Sequence, residues 1–321
     1  MYSRSQLRRG LELLRERPAY AGRECNRLYY RRLYRRPFNT DGVDVMDEAW
    51  DNLLILDACR YDMFAAQASL PGSLERRISR GSHTREFLAG NFGGRNLFDT
   101  VYVTASPQLH RWSEEIDARF HAVIDVWRAD GWDEDSGTVL PETVNEYARA
   151  AHERYPDKRL IVHYLQPHYP FIDAASTLNA RTFGEDGGGG ADIWGELMRG
   201  TLDVTAAEVW DAYRRNLDRV LPAVAALLDE LPGLTVVTSD HGNMIGERAA
   251  PIPIREWGHP PGVHTPELVE VPWLVCDEGR RKQVVWEEPD HGLGVESTMA
   301  TETAEPAGSV QDRLEQLGYV E

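Results

Sequence analysis

The chain has 321 residues and a formal net charge of −17, enough length to bury a sizeable core as one large α/β catalytic domain with appendages rather than two equal halves. The acidity is uneven: residues 1–36 hold eleven arginines against Glu12, Glu16 and Glu24, a local charge of +8, which leaves −25 for the rest. A body so acidic repels phosphate backbones, so nucleic acid is excluded as the expected partner.

Lys158 and Lys282 are the only lysines, and nearly all positive charge is Arg. Crowded carboxylates destabilise a compact state by self-repulsion, which high ionic strength relieves, so the composition is that expected of a halophile, with a halophilic archaeon as the expected source. A GC-rich genome would account for the missing lysines but less readily for the acidic excess. Cys25, Cys59 and Cys276 are too few and too scattered for a disulfide framework or a zinc knuckle. No apolar stretch reaches the roughly 18 residues of a membrane span, and the Arg-rich start lacks the apolar core of a signal peptide. The expected location is the cytoplasm.

In chain order, residues 5–17 place Leu7, Leu11 and Leu14 on one helical face and arginines elsewhere, until Pro18 stops the pattern. Arg23 to Arg36 then interleaves Tyr29, Tyr30 and Tyr34 with arginines. Residues 1–40 therefore read as a basic helical arm. One reading docks residues 1–36 peripherally on an anionic membrane at its inner surface; the other folds the arm onto its own acidic body. Residues 41–286 alternate short apolar runs with helix-like stretches, and the candidate strands are 52–57, 100–104, 159–165, 234–238 and 271–276. Strands spaced by helices predict a three-layer α/β sandwich with a central, mostly parallel sheet. The clearest helix runs from Ala206 to Leu231 and passes through Pro232-Gly233 into the strand at 234. Gly187 to Gly190 read as a flexible loop, not a phosphate cradle, because no strand precedes them and no Lys-Ser/Thr follows. Residues 287–321 form a polar tail, with a short closing helix at Ser309 to Leu317.

Two strands each deliver chemistry at their carboxyl ends. Leu53 to Leu56 ends in Asp57, and Leu234 to Thr238 is followed by Asp240-His241-Gly242. In open α/β sheets ligands bind outside those ends. Two carboxylates and an imidazole suit zinc or manganese better than calcium, which prefers oxygen-only shells. Ser79 to Phe87 is a polar turn entering a helix, where a hydroxyl can face a metal and an anion can meet a helix N-terminus.

The segments Leu54-Ile55-Leu56-Asp57-Ala58-Cys59-Arg60-Tyr61-Asp62, the Thr84 turn, Tyr164 to Phe171, Thr238 to Asn243 and His264 to Trp273 occur in the order of sulfatase-like members of the alkaline phosphatase superfamily. The chain resembles that family over roughly residues 50–280, and Arg313 to Val320 is similar to a sulfatase-type tail. The resemblance implies that Asp57, Thr84, Asp240 and His241 bind one divalent metal ion, zinc or manganese first, magnesium or calcium as alternatives. It also implies that Thr84 doubles as the nucleophile, as threonine does in lipoteichoic-acid-synthase-like enzymes, with Ser82 the alternative. Cys59 lacks the Cys-x-Pro-x-Arg context of true sulfatases and lies beside the first aspartate, so it reads as a packing residue and formylglycine chemistry is not expected.

Two-metal members carry an Asp-x-x-x-His pair, whereas this chain has His163 to His168 with no aspartate at the required spacing, so one ion is expected. His168 and His264 would contact the anion or protonate the leaving oxygen, with His259 a poorer candidate. Arg60 is either a bidentate anion clamp or a salt-bridging residue, and Asp62 either a helix cap or a supporting group. The implied function is a metal-dependent hydrolase or transferase of phosphate or sulfate esters, acting on a small-molecule, glycan or lipid head-group ester through a covalent threonine intermediate. The rival is an inactive relative that binds anionic glycans or lipid head groups.

The charge pattern carries a test of its own. The melting temperature should climb steeply as potassium chloride rises towards molar concentrations, where the screening length falls to about 3 Å. A melting temperature that is flat or falls across that range would remove the halophilic reading.

Overall fold

The computed structural model describes residues 18–33, 38–172, 193–277, 279–289 and 313. The Leu7, Leu11 and Leu14 face, the Gly187 to Gly190 loop and the closing helix apart from Arg313 lie outside the described residues.

Eleven strands are described: β1 (Asn52–Leu56), β2 (Ser73–Ile78), β3 (Asn96–Thr104), β4 (Arg119–Asp125), β5 (Trp132–Asp133), β6 (Thr138–Val139), β7 (Arg159–Tyr164), β8 (Leu234–Thr238), β9 (Met244–Arg248), β10 (Arg255–Gly258) and β11 (Glu270–Asp277). Seven form one sheet in the order β2-β11-β8-β1-β7-β3-β4, while β9 with β10 and β5 with β6 make two small hairpins. The pairs β8-β1, β1-β7, β7-β3 and β3-β4 are parallel, and β11 runs antiparallel to both β8 and β2. This is the three-layer, mostly parallel α/β architecture that the strand and helix spacing predicts.

The β1 run Asn52–Leu56 is buried at every position. That is the mark of a central parallel strand covered on both faces. Leu54 and Leu56 pack into one apolar cluster with the helices Pro141–Arg154 and Ala206–Glu230, while Leu53 and Ile55 pack into another with Trp50 and the helix Thr84–Phe92. The two-residue period of a strand thus feeds both layers at once. The helix Ala206–Glu230 starts in a reciprocal capping box between Thr205 and Glu208, which satisfies N–H groups that a helix start leaves unpaired.

The edge strands β2 and β4 are absent from the apolar-run reading. β2 is Ser-Leu-Glu-Arg-Arg-Ile with no fully buried position, and β4 begins Arg-Phe-His with only Phe120, Ile124 and Asp125 buried. Neither presents an apolar run, because an edge strand needs burial on little of its surface.

The basic segment Pro18–Leu33 is helical and docks on the β9-β10 hairpin. Arg23 Nε lies 2.8 Å from Glu256 Oε1, and Asn26 exchanges two hydrogen bonds with the Ile252 backbone at 2.8 and 2.9 Å. For these residues the contact is with the protein's own body. No helix among the described residues is long and apolar enough to cross a membrane.

Gly233 precedes β8 with φ of +100°, and a Cβ there would stand 2.5 Å from Asp51 Oδ2, the oxygen that accepts the Leu234 N–H at 2.8 Å and the Arg281 Nε–H at 2.6 Å. Gly233→Ala should therefore cost about 1–3 kcal/mol of stability, seen as a lower urea midpoint with an unchanged slope. An unshifted midpoint would show that this turn into β8 is not constrained.

Candidate functional site

At the carboxyl ends of β1, β7 and β8 the backbone itself brings the chemistry together. β1 is paired with β7 on one side and β8 on the other, with Ile55 opposite both His163 and Thr238. Beyond that row β1 delivers Asp57 and β8 delivers Asp240 and His241, and these three side chains and that of His163 are fully buried. The residue after Asp57, Ala58, has φ of +59°, a left-handed conformation that costs a non-glycine residue of order 1 kcal/mol. It is held from both sides: its N–H donates to Asp240 Oδ1 at 3.0 Å, and Tyr213 donates its hydroxyl proton to its carbonyl. Cys59 N–H donates to Ser239 Oγ at 2.8 Å.

Asp240 Oδ1 also accepts the His241 N–H at 2.9 Å, so one oxygen is saturated by backbone donors. The other, Oδ2, has no hydrogen-bond partner; neither do both oxygens of Asp57 nor Nε2 of His163. His241 Nδ1 faces the Gly242 carbonyl at 2.7 Å. A carbonyl only accepts, so Nδ1 carries a proton and Nε2 is the nitrogen turned inward. That Nε2 lies 3.3 Å from Asp240 Oδ2, 3.6 Å from Asp57 Oδ1 and 3.3 Å from Thr84 Oγ1. The tight bend after His241 depends on Gly242, whose N–H donates to Leu268 O at 2.7 Å and where a Cβ would stand 2.1 Å from the Glu267 carbonyl.

The electrostatics follow from this crowding. Burial and the Asp240 charge push the Asp57 carboxyl well above its ordinary value, with the nearby Thr84 hydroxyl acting in the opposite direction. Burial raises Asp240 too, but His241, His163 and the Ala58 N–H outweigh it and hold that carboxyl below its ordinary range. Burial takes His163 and His168 down to about 4. An acceptor-rich, water-excluded cluster of this kind is costly unless a cation compensates it. The unpaired oxygens of Asp57 and Asp240 and the unpaired Nε2 of His163 lie within 4.8 Å of one another, and such an oxygen-and-imidazole set fits a divalent metal ion.

Thr84 is brought to the cluster as the first residue of the helix Thr84–Phe92. His83 caps that helix, with Nδ1 accepting the Glu86 N–H at 3.2 Å. Glu86 Oε2 accepts from Ser82 N–H and Ser82 Oγ, both at 2.9 Å, and faces His264 Nε2 at 3.3 Å. The alternative nucleophile Ser82 is therefore engaged with Glu86, whereas Thr84 faces the carboxylates.

The four residues nominated as metal ligands, Asp57, Thr84, Asp240 and His241, are thus gathered in one place. The other nominees are distributed. His168 Nδ1 is bonded to the Tyr169 carbonyl, and the loop carrying it is held by Asn216 Nδ2, which donates to the Pro167, His168 and Pro170 carbonyls. His259, weighed lowest from sequence, has its ring 4.7 Å from that of His241 and 4.9 Å from that of His168. His264 sits instead against Glu86, with the Tyr30 ring edge-on at 5.6 Å.

Arg60 donates to Asp62 at 2.6 and 2.9 Å, to Glu247, and to the Asn243 carbonyl at 3.3 Å, and lies 4.8 Å over the Trp210 ring. Of its two readings from sequence, the geometry matches the salt-bridging one. Cys59 is buried, and burial together with Asp62 and Asp240 pushes its thiol well above the ordinary range, the opposite of a reactive cysteine.

His163 is the residue without a role in the sequence reading. Its signal lay in register: it is the last but one residue of a strand adjacent to β1 and two residues from Ile161 on the same face, inside an otherwise apolar run.

No protein-family model matches the chain, and no curated protein matches it. Solved structures do. The integral membrane lipooligosaccharide phosphoethanolamine transferase A from Neisseria meningitidis aligns at 14% identity and TM-score 0.42, over 72% of this chain and 47% of that one. The chain therefore spans about half of that transferase. The zinc complex of the C-terminal periplasmic domain of EptC from Escherichia coli aligns at 15% identity and TM-score 0.42, over 76% and 77% of the two chains. A candidate sulfatase from Bacteroides thetaiotaomicron aligns at 11% identity and TM-score 0.46, over 85% and 76%.

Glu86 offers a pH test of how the Thr84 turn is held. Burial alone would raise its pKa, but the bond with His264, the neighbouring His83 and the Ser82 N–H bring it from 4.5 down to about 2. Because the folded value is depressed, its contribution is present above pH 4.5 and is lost as pH falls from there towards 2. A displacement of that size is worth about 3 kcal/mol. Glu86→Gln should therefore be less stable than the native chain at pH 7 by up to that amount, with the gap narrowing below pH 4.5 in urea titrations. A gap independent of pH would show that these partners do not hold the carboxylate ionised.

Proposed function

We propose that the chain is a metal-dependent hydrolase or transferase of the sulfatase-like, alkaline phosphatase type, acting on phosphate or sulfate esters through a covalent Thr84 intermediate. The observation that carries this reading is the convergence of Asp57, Thr84, Asp240 and His241, from three separate segments, into one fully buried cluster whose inward atoms are almost all acceptors and whose hydroxyl is that of Thr84.

Asp57, Asp240, His241 and Thr84 would hold a single divalent ion, zinc or manganese first. Such an ion lowers the pKa of a coordinated hydroxyl and neutralises charge on the ester oxygens when bound. The chain's own part is positioning. The helix start and the Glu86 network hold the Thr84 backbone, and His241 Nε2 orients its hydroxyl. In the first step the Thr84 oxygen bonds to phosphorus or sulfur, the ester oxygen departs with the bonding electrons, and the threonine proton passes to solvent or to a neighbouring base. Water then cleaves the threonine ester, or an acceptor alcohol takes the group.

His168, held neutral at pH 7 by burial and with its Nδ1–H spent on the Tyr169 carbonyl, is assigned with His259 beside it to take up a proton at Nε2 and return it to the leaving oxygen. His264 acts through Glu86 on the turn that presents Thr84. The buried, high-pKa Cys59 supports hydroxyl chemistry over formylglycine chemistry and so favours phosphoesters. Substrate class remains a small-molecule, glycan or lipid head-group ester. The proposal keeps a cytoplasmic site of action with peripheral contact to an anionic inner membrane surface through residues 1–36, both resting on sequence alone.

With zinc or manganese supplied and aryl phosphate, phosphodiester and aryl sulfate substrates screened, Thr84→Ala should lower turnover on the order of a thousandfold or more. It should also abolish the phospho- or sulfo-enzyme detected by intact-mass spectrometry. Ser82→Ala should keep the adduct. An adduct that survives in Thr84→Ala, or that maps to Ser82 or Cys59, would overturn the assignment of the nucleophile.

A further inference from the structure

His163 and Tyr102 are both fully buried, on neighbouring strands, and the Tyr102 hydroxyl lies 2.7 Å from His163 Nδ1. The ring nitrogen on the other side, Nε2, points at Asp57 Oδ2 and Asp240 Oδ2 from 3.7 and 3.9 Å and has no hydrogen-bond partner. If that nitrogen carried the proton, a buried N–H beside two carboxylate oxygens would close to about 2.7–2.9 Å, the length of a charge-assisted bond. The longer gaps are those of acceptors facing one another.

A ring nitrogen that binds a metal ion must offer its lone pair, so ligation at Nε2 places the proton of the neutral ring on Nδ1, and the Tyr102 oxygen 2.7 Å away is the acceptor that faces it. Tyr102 has no freedom to turn away, being stacked on Phe120 at 5.1 Å between ring centres and met edge-on by Phe92 at 6.0 Å.

We infer that Tyr102 is a positioning residue which fixes the Nδ1–H tautomer of His163 and so presents Nε2 as a further metal ligand beside Asp57 and Asp240. The inference rests on the metal-centre reading above and adds to it a ligand and the device that orients it. Partners that hold the far nitrogen of a ligating histidine typically account for about 10–100-fold in metal affinity.

The test uses the full chain, zinc alone as the probe, and competition against a chelator for affinity. Tyr102→Phe removes one oxygen and should weaken zinc binding about 10–100-fold, while the melting temperature of the metal-free variant stays near that of the native protein. In nitrogen-15 spectra of histidine-labelled, metal-free protein, the His163 signals, assigned by their loss in His163→Gln, should be those of an Nδ1–H ring in the native chain and shift towards the Nε2–H form in Tyr102→Phe. The double variant with His163→Gln should bind zinc no more weakly than His163→Gln alone. Native zinc affinity in Tyr102→Phe, or an Nε2–H ring in the native chain, would overturn this inference while leaving the Asp57, Asp240 and His241 site standing. Equal losses from Tyr102→Phe with and without His163 would assign Tyr102 a purely structural role. Failure of the native chain to bind zinc or manganese at all would overturn both readings.

Discussion

The repulsion between the Asp57 and Asp240 carboxylates is the constraint around which this molecule is arranged. Parallel pairing of β1 with β8 brings both strand ends to the same edge, and the alternation of side chains turns both carboxylates into one water-free space. Nothing in an apolar sheet would place two acids there for stability's sake, because burial disfavours both charges and only at Asp240 do neighbouring groups outweigh it. The surroundings are built to tolerate that. Backbone N–H groups of Ala58 and His241 saturate one oxygen of Asp240, and the strained Ala58 is held by Tyr213 from the long helix Ala206–Glu230.

That helix shows how packing and site are one construction. Its apolar face, with Val209, Tyr213, Leu217, Val220, Val224 and Leu227, fills the cluster beneath β1 and β7. The same face carries Asn216, whose amide gathers three carbonyls of the loop that holds His168. Asn145 on the neighbouring helix accepts the Tyr164 hydroxyl and donates to Ala223 O. Asn216 and Asn145 are thus tied to defined partners on both sides, which links the helix layer to the positions of the strand ends.

The parts of this arrangement legible in the sequence are those with a strong local signature. β1, β7, β8 and β11 are buried on both faces and appear as apolar runs, and Asp57 and the Asp240-His241-Gly242 triplet stand out because a charged residue ends each run. The polar edge strands β2 and β4 carry no such mark. His163 was hidden for the opposite reason: it lies within an apolar run, and only the register that sets it opposite Ile55 and Thr104 reveals which way it points. The partners of Arg60 and His264 were equally beyond reach, since Glu247 and Glu86 lie 187 and 178 residues away in the chain.

The basic N-terminal segment illustrates a limit of reading charge as a surface property. Taken by itself, a run of arginines and tyrosines asks for an anionic partner outside the molecule. Over Pro18–Leu33 part of that demand is met within: Arg23 is buried on Glu256, and Tyr30 lies edge-on to His264. His264 in turn bonds Glu86, which bonds Ser82, two residues before Thr84. The helix is therefore connected through Tyr30, His264 and Glu86 to the turn that carries the hydroxyl. Loss of one partner along this line leaves the next uncompensated. The segment that composition sets apart as an appendage is, over these residues, packed against a support of the Thr84 turn.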